Sequence, residues 1–423
     1  MDSPATLPLG TRLDPPTVPL RTEPEPEVRP AAMPSLTEPV PGREPDARRF
    51  EELRFRFTGT GREYFGIWFT NIALTFMTLG IYSAWAKVRR VEYVYRNTLF
   101  GGSGAEGTSV AAAFQYLADP LAILRGRLVA AVLIAAYATY GYFPAWVAIL
   151  VLGALAAVFP WLMWSGLRFR AARTRHRGQR FHFDGTLQQA YSMILPPVLI
   201  FIGPGLVFAA VAGSNLEGWI YTHGFVFAAV SFGPWLLAPW VHARYRRWIA
   251  NHTVWGSLCF SNTVPTRSYY ALYVKAVLFL IAASFFFAMV VGLLLIPFGG
   301  LIGNKGNVFG LIIGVLIGWG VFTPYLIARL QKLNWQWTFL GDHAFNCDLQ
   351  ANALIRLYLK NLFLLFLTLG LWRPLGWIAV VKMRVESLWW HGDAGAVLAH
   401  AALPQGSTAG SESAEFFGAD MGF

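Results

Sequence analysis

The segments NIALTFMTLGIY (Asn71–Tyr82) and NLFLLFLTLGLW (Asn361–Trp372) lie 290 residues apart and coincide at six of twelve positions without a gap. Asn71/Asn361, Leu74/Leu364, Phe76/Phe366, Thr78/Thr368, Leu79/Leu369 and Gly80/Gly370 fall in one register. Both segments are apolar, open on Asn and end near Thr-Leu-Gly. One apolar pattern at each end of a chain points to a membrane protein built by repeating a unit.

Composition agrees. The 423 residues are 55% AVILMFWYC with a mean hydropathy of +0.44 and 13% charged, against about 25% charged in an ordinary soluble domain. Leu128–Trp164 (interrupted near Gly141–Pro144), Tyr191–Ala212, Trp219–Val241, Tyr270–Pro297 and Phe309–Ile327 are nearly uncharged. Each offers at least the roughly 18 residues that cross a hydrocarbon core of about 30 Å.

Charge assigns sides. The connections at Gly141–Ala145, Gly213–Gly218 and Phe298–Val308 hold one basic residue, Lys305, whereas the alternate connections are dense in Arg and Lys. Arg168–Arg180 alone carries six arginines. Basic loops stay cytoplasmic, so three hairpins at 128–164, 191–241 and 270–328 are expected to have external turns. The two end segments fit in two ways. As full crossings they give eight crossings and place both termini outside. Alternatively they dip in, turn at Thr-Leu-Gly and return along Tyr82–Arg96 and Trp372–Glu386. The charge bias favours the second, so the expected fold is an all-α polytopic membrane protein with six full crossings plus two half-entering helical hairpins.

The flanks are different material. Met1–Pro45 holds twelve of the 25 prolines and has no apolar periodicity, so 1–50 is expected to be a disordered arm. Residues 393–423 read as a disordered tail, which leaves 54–392 as the membrane domain, with related segments at 61–98 and 351–388. No signal-peptide pattern opens the chain, and Cys259 and Cys347 make no disulfide framework.

A second repeat sits in the basic connections. Thr253–Phe260 (TVWGSLCF) and Thr338–Phe345 (TFLGDHAF) share T-x-x-G-x-x-x-F. Asn97–Gly101 begins the same way, and Arg180–Gly185 and Arg54–Gly59 look like its second half. Short alternating runs around a Gly read as β-hairpins, so small cytoplasmic β-hairpins under the helices are expected. Interfacial loops with aromatic anchors fit the same turn signals.

Gly61–Thr98 resembles the opening signature of the YjgN-like family of bacterial inner-membrane proteins, a domain of unknown function. The matching elements are Glu63-Tyr64-Phe65, Asn71, Thr78–Tyr82, Trp85–Arg89 and Asn97-Thr98, followed by Leu124–Arg127 and Thr368–Pro374. The chain departs from the pattern in the Gly/Ala-rich insertion Gly102–Ala113 and in Leu375, where the terminal copy usually carries Trp. The second departure puts any shared role for Trp85 in doubt. The resemblance implies a multi-pass protein of the bacterial inner membrane and no established activity.

Residue chemistry is thin. Eight histidines show no metal-ligand spacing, there is no phosphate-binding loop or nucleophile motif, and the clear spans lack carboxylates. No catalytic set, metal or cofactor is expected. Asn71, Thr75 and Thr78 share a helix face at spacings of four and three, and Asn361 and Thr368 repeat two of them. These five read either as interhelical packing contacts or as a pseudo-symmetric polar site within the membrane. Arg356 and Lys360 at the second copy, with Lys87, Arg89 and Arg90 at the first, read as a basic mouth or as contacts to anionic lipid headgroups. Glycines through Gly320 read as close helix packing. The basic residues alternate with membrane entries and build no separate domain, which argues against nucleic acid. Two functions fit: a transporter or channel-like protein for a small solute or lipid, and a non-transporting scaffold or lipid-interacting protein.

Overall fold

A computed structural model describes residues 51–101, 112–139, 142, 145–212, 216–298 and 305–392. The expected arm at 1–50 and tail at 393–423 lie outside these residues. The insertion and the three expected external turns lie largely or partly outside them.

The chain repeats one unit five times. Strand β1 (Glu51–Phe57) leads through helices α1 (Gly61–Met77) and α2 (Ser83–Arg96) to β2 (Thr98–Phe100). Then β3 (Ala112–Tyr116) leads through α3 (Pro120–Thr139) and α4 (Ala145–Arg173) to β4 (Thr174–His176). Next, β5 (Gln179–Phe183) is followed by α5 (Leu187–Ala212), α6 (Leu216–Phe232), α7 (Ala238–Asn251) and β6 (Thr253–Trp255). The fourth unit is β7 (Leu258–Asn262), α8 (Thr266–Leu295), α9 (Lys305–Trp335) and β8 (Thr338–Leu340). The last is β9 (His343–Cys347), α10 (Ala351–Leu367), α11 (Arg373–Glu386) and β10 (Leu388–Gly392).

The ten strands form a closed antiparallel barrel in sequence order, because β1 pairs with both β2 and β10. Local chemistry makes four of the five corners. Thr98, Thr174, Thr253 and Thr338 each donate from Oγ1 to the carbonyl four residues back, at 2.8, 2.9, 2.7 and 2.8 Å. Each satisfies a carbonyl that the helix end leaves open, and the strand starts there. Gly256 (φ 59°) and Gly341 (φ 58°) then supply the positive φ that tight hairpin turns need at their first central residue.

Register fixes what fills the barrel. Phe55, Phe114, Phe181, Phe260 and Phe345, one from the longer strand of each unit, form a closed ring with neighbouring ring centres 6.0–6.5 Å apart. Such spacing puts the five centres on a circle of about 5 Å radius, within contact range for aromatic pairs. Their cross-strand partners are Phe100, His176, Trp255, Leu340 and Trp390. Those five form a second layer, of which the last four are buried. The interior is a packed core, as in other small barrels.

This corrects the all-α expectation. The strand pairs at T-x-x-G-x-x-x-F are walls of one closed barrel instead of separate hairpins beneath a helical bundle. Among the described residues, four helical stretches are long and apolar enough to cross a membrane, against the six or eight expected. They are Leu150–Arg173, Tyr221–Asn251, Thr266–Leu295 and Val308–Trp335, with Leu187–Phe201 a shorter apolar helix. The reason is physical. A three-residue strand holds too little alternation to register as a period, and its partner is fixed by closure between units.

Candidate functional site

The first helical hairpin is clamped at three levels. Near the barrel, the Thr60 amide donates to the Tyr93 hydroxyl at 2.9 Å, and that hydroxyl lies 3.0 Å from Thr60 O and 3.1 Å from Glu63 Oε2. Midway, Asn71 Nδ2 on α1 donates to Ala86 O on α2 at 3.4 Å. At the tip, Thr78 Oγ1 donates to Leu74 O at 2.8 Å and accepts from the Tyr82 amide at 2.9 Å. The turn closes with Gly80 N donating to Thr75 O and Leu79 N to Phe76 O, the double bond pattern of a Schellman helix end. Leu79 (φ 50°) occupies the left-handed position where Gly is usual.

The hairpin α10–α11 repeats this device. Asn361 Nδ2 donates to Gly376 O at 3.1 Å, and Thr368 Oγ1 bonds Leu364 O and the Trp372 amide. Leu369 (φ 49°) and Gly370 match Leu79 and Gly80. One difference matters. Asn361 Oδ1 accepts from the Trp372 indole at 3.2 Å, whereas Tyr82 stands at that place in the first copy and Asn71 Oδ1 is buried without a partner.

Asn71 lines a groove of about 780 Å³ between α1, α2, the start of α11 and Arg127 of α3. Lys87, Arg90, Arg127 and Arg373 bring four cationic side chains to it, and among the described residues no Asp or Glu lines it. The Arg127 guanidinium bonds Ser83 Oγ across the α2–α3 junction. Tyr64 and Trp377, with ring centres 4.8 Å apart, join α1 to α11 beside the groove. Toward the tip the lining turns apolar with Ile72, Phe76 and Leu79. Phe76 is 84% exposed and Leu79 94% exposed, an unusual surface unless an apolar phase covers it.

The residues singled out from sequence therefore divide. Asn71, Thr75, Lys87 and Arg90 meet in the groove. Thr78, Asn361 and Thr368 bond within their own hairpins. Arg89 lies over the Tyr82 ring, 5.6 Å from its centre, and Arg356 and Lys360 are exposed on α10. Sequence reasoning passed over Arg127 and Arg373 as site residues. Both stand in stretches that carried the family resemblance, Leu124–Arg127 and Thr368–Pro374, which was the available signal. Among the described residues, no group of three or more His, Cys, Asp or Glu is placed to hold a metal.

Comparison with known proteins bears on this arrangement. The family model described as "Bacterial protein of unknown function (DUF898)" matches residues 52–416. The chain belongs to that family. It is 26% identical over 245 residues to the inner membrane protein YjgN of Salmonella typhimurium, covering 57% of this chain and 59% of that one. It is 32% identical over 160 residues to the inner membrane protein YjgN of Escherichia coli O157:H7, covering 36% and 37%. The chain thus spans under two thirds of the length of these relatives. No solved structure matches it. The YjgN-like resemblance is confirmed, and most of the groove lining comes from the Gly61–Thr98 stretch.

Proposed function

We propose that this protein binds anionic phospholipid of the bacterial inner membrane in the α1–α2 groove and acts by binding, without catalysis. The observation that carries this reading is the groove's lining. Among the described residues it gathers four cationic side chains and no carboxylate, next to apolar side chains that lead to an exposed apolar tip. Cations of this kind suit a lipid phosphate, each contributing about 1 kcal/mol near an anionic surface. The relatives' names support the inner membrane, and the barrel's crowding with basic helix ends supports a cytoplasmic barrel.

The conduit reading has less support. Solute moving along the barrel axis would meet the phenylalanine ring and then the layer of Phe100, His176, Trp255, Leu340 and Trp390. The test is native mass spectrometry of purified protein offered equal amounts of phosphatidylglycerol and phosphatidylcholine. Phosphatidylglycerol should be retained preferentially. Lys87→Gln with Arg90→Gln should lower that preference by about tenfold, the equivalent of about 1.4 kcal/mol of charge-assisted bonding. Equal retention of both lipids by the parent protein, or an unchanged preference in the variant, would defeat the proposal.

A further inference from the structure

A second chamber lies under the barrel, where helix ends from the five units converge. It measures about 380 Å³ and is roofed by Phe55, Phe114 and Phe181 of the phenylalanine ring. Its walls include Leu167 and Ala171 of α4, Ile249 of α7, Trp335 of α9 and Val385 of α11. Tyr95, Thr98, Thr174 and Thr253 also line it, and each threonine hydroxyl donates to a helix carbonyl. The wall is therefore apolar in effect, which suits a hydrocarbon better than a polar solute. Arg170 is the single charged residue in the lining.

That arginine marks a way in. A neighbouring cavity of about 490 Å³ between α4, α5 and α7 shares Leu167, Arg170 and Ile249 with the chamber. It adds Gly166, where a side chain is missing from the wall, and a second cation, Arg246. One cation, Arg170, thus stands where the apolar chamber meets the lateral cavity, a second, Arg246, lines the lateral cavity, and among the described residues no carboxylate lines either space.

We infer that the chamber binds a single-chain anionic amphiphile, its hydrocarbon tail on the barrel axis beneath the phenylalanine ring and its acidic head at Arg170 and Arg246. The site is separate from the α1–α2 groove and involves none of its residues. Bilayer lipid offers two chains on one head, whereas the chamber offers one apolar space reached past one pair of cations, which selects a fatty-acid-like molecule.

The test uses the full chain in detergent with a diazirine-bearing palmitic acid as probe, and maps photo-adducts by peptide mass spectrometry. Adducts are expected on the α4 segment around Leu167–Ala171, on Ile249 and on Trp335. Ala171→Phe, which fills the chamber, should remove these adducts and leave phosphatidylglycerol retention by the α1–α2 groove unchanged. Should Ala171→Phe fail to accumulate, Val385→Phe enters the chamber from another unit and takes its place. Arg170→Gln should reduce chamber labelling by about tenfold, as expected for loss of one charge-assisted contact. Adducts confined to the outer faces of α8 and α9, or chamber labelling that survives the filling variant, would overturn the inference.

Discussion

At the scale of single residues, His176 is the anomaly of the barrel. Four of the five second-layer positions hold Phe100, Trp255, Leu340 and Trp390, and the fifth holds an imidazole that is 2% exposed. It stacks on Phe114 at 4.4 Å, and neither ring nitrogen makes a well-formed hydrogen bond. Burial lowers its pKa from the usual 6.5 to about 4, the nearby Arg177 pushes the same way, and the Ala113 carbonyl opposes them weakly. In the unfolded chain the histidine takes up its proton first as pH falls. Stability from neutral His176 is therefore complete above about pH 6.5 and is lost progressively down to about pH 4, roughly 3 kcal/mol in all. His176→Phe should raise the thermal midpoint at pH 5 and flatten its dependence on pH between 6.5 and 4. An unchanged pH profile in the variant would show that the imidazole is solvated in the folded protein. The asparagines teach a related lesson. Sequence made Asn71 and Asn361 equivalent, and only the Tyr82/Trp372 difference, legible but silent without the hairpin geometry, separates a satisfied amide from an open one.

At the scale of elements, the tightest helix pair is α8 with α9. An added Cβ on Gly314 would sit 2.2 Å from Ala288 Cα, and one on Gly318 would sit 2.8 Å from Ser284 Cα. These are backbone atoms that cannot swing aside, so the glycines set the interhelical distance. Gly314→Leu should force the pair apart at a cost of about 1–3 kcal/mol or more, the range for overpacking. Gly320→Ala on the same helix, where a Cβ meets nothing within 4 Å, should leave the melting temperature unchanged or slightly raised, since Ala is the better helix former by about 1 kcal/mol at most. Similar melting for both variants would contradict the packing. This element was readable, because glycines at 310, 314 and 318 in an apolar run specify close approach. The strands were readable as separate short hairpins and not as one barrel. Thr and Gly marked the corners at Thr253–Gly256 and Thr338–Gly341, while β4 (Thr174-Arg175-His176) looked like part of a basic topology signal, and β2 meets β3 only across Gly102–Ala113.

At the scale of the whole molecule, five units share one register, and the fifth hairpin is supplied by the two chain ends, β10 and β1. That closure could not be read locally. Arg54-Phe55-Arg56-Phe57 and Leu388-Trp389-Trp390 are separated by more than three hundred residues and share no turn. What makes them neighbours is the need to complete a ring to which Phe55 and Phe345 each contribute one member. The groove and the axial chamber both depend on it, since closure brings α11 beside α1 and gathers the helix ends under the barrel. The most direct measurement is a disulfide across the closing pair. Glu52 and His391 are exposed, directly opposed residues on β1 and β10, and opposed strand positions lie within disulfide range, about 4.5–5.5 Å between Cα atoms. Glu52→Cys with His391→Cys, in a background carrying Cys259→Ser and Cys347→Ala, should cross-link nearly completely on mild oxidation, within one chain. The mismatched combination of Glu52→Cys with Trp389→Cys should not. Failure of the matched pair alongside efficient linkage of the mismatched one, or linkage only between separate chains, would contradict the closed barrel.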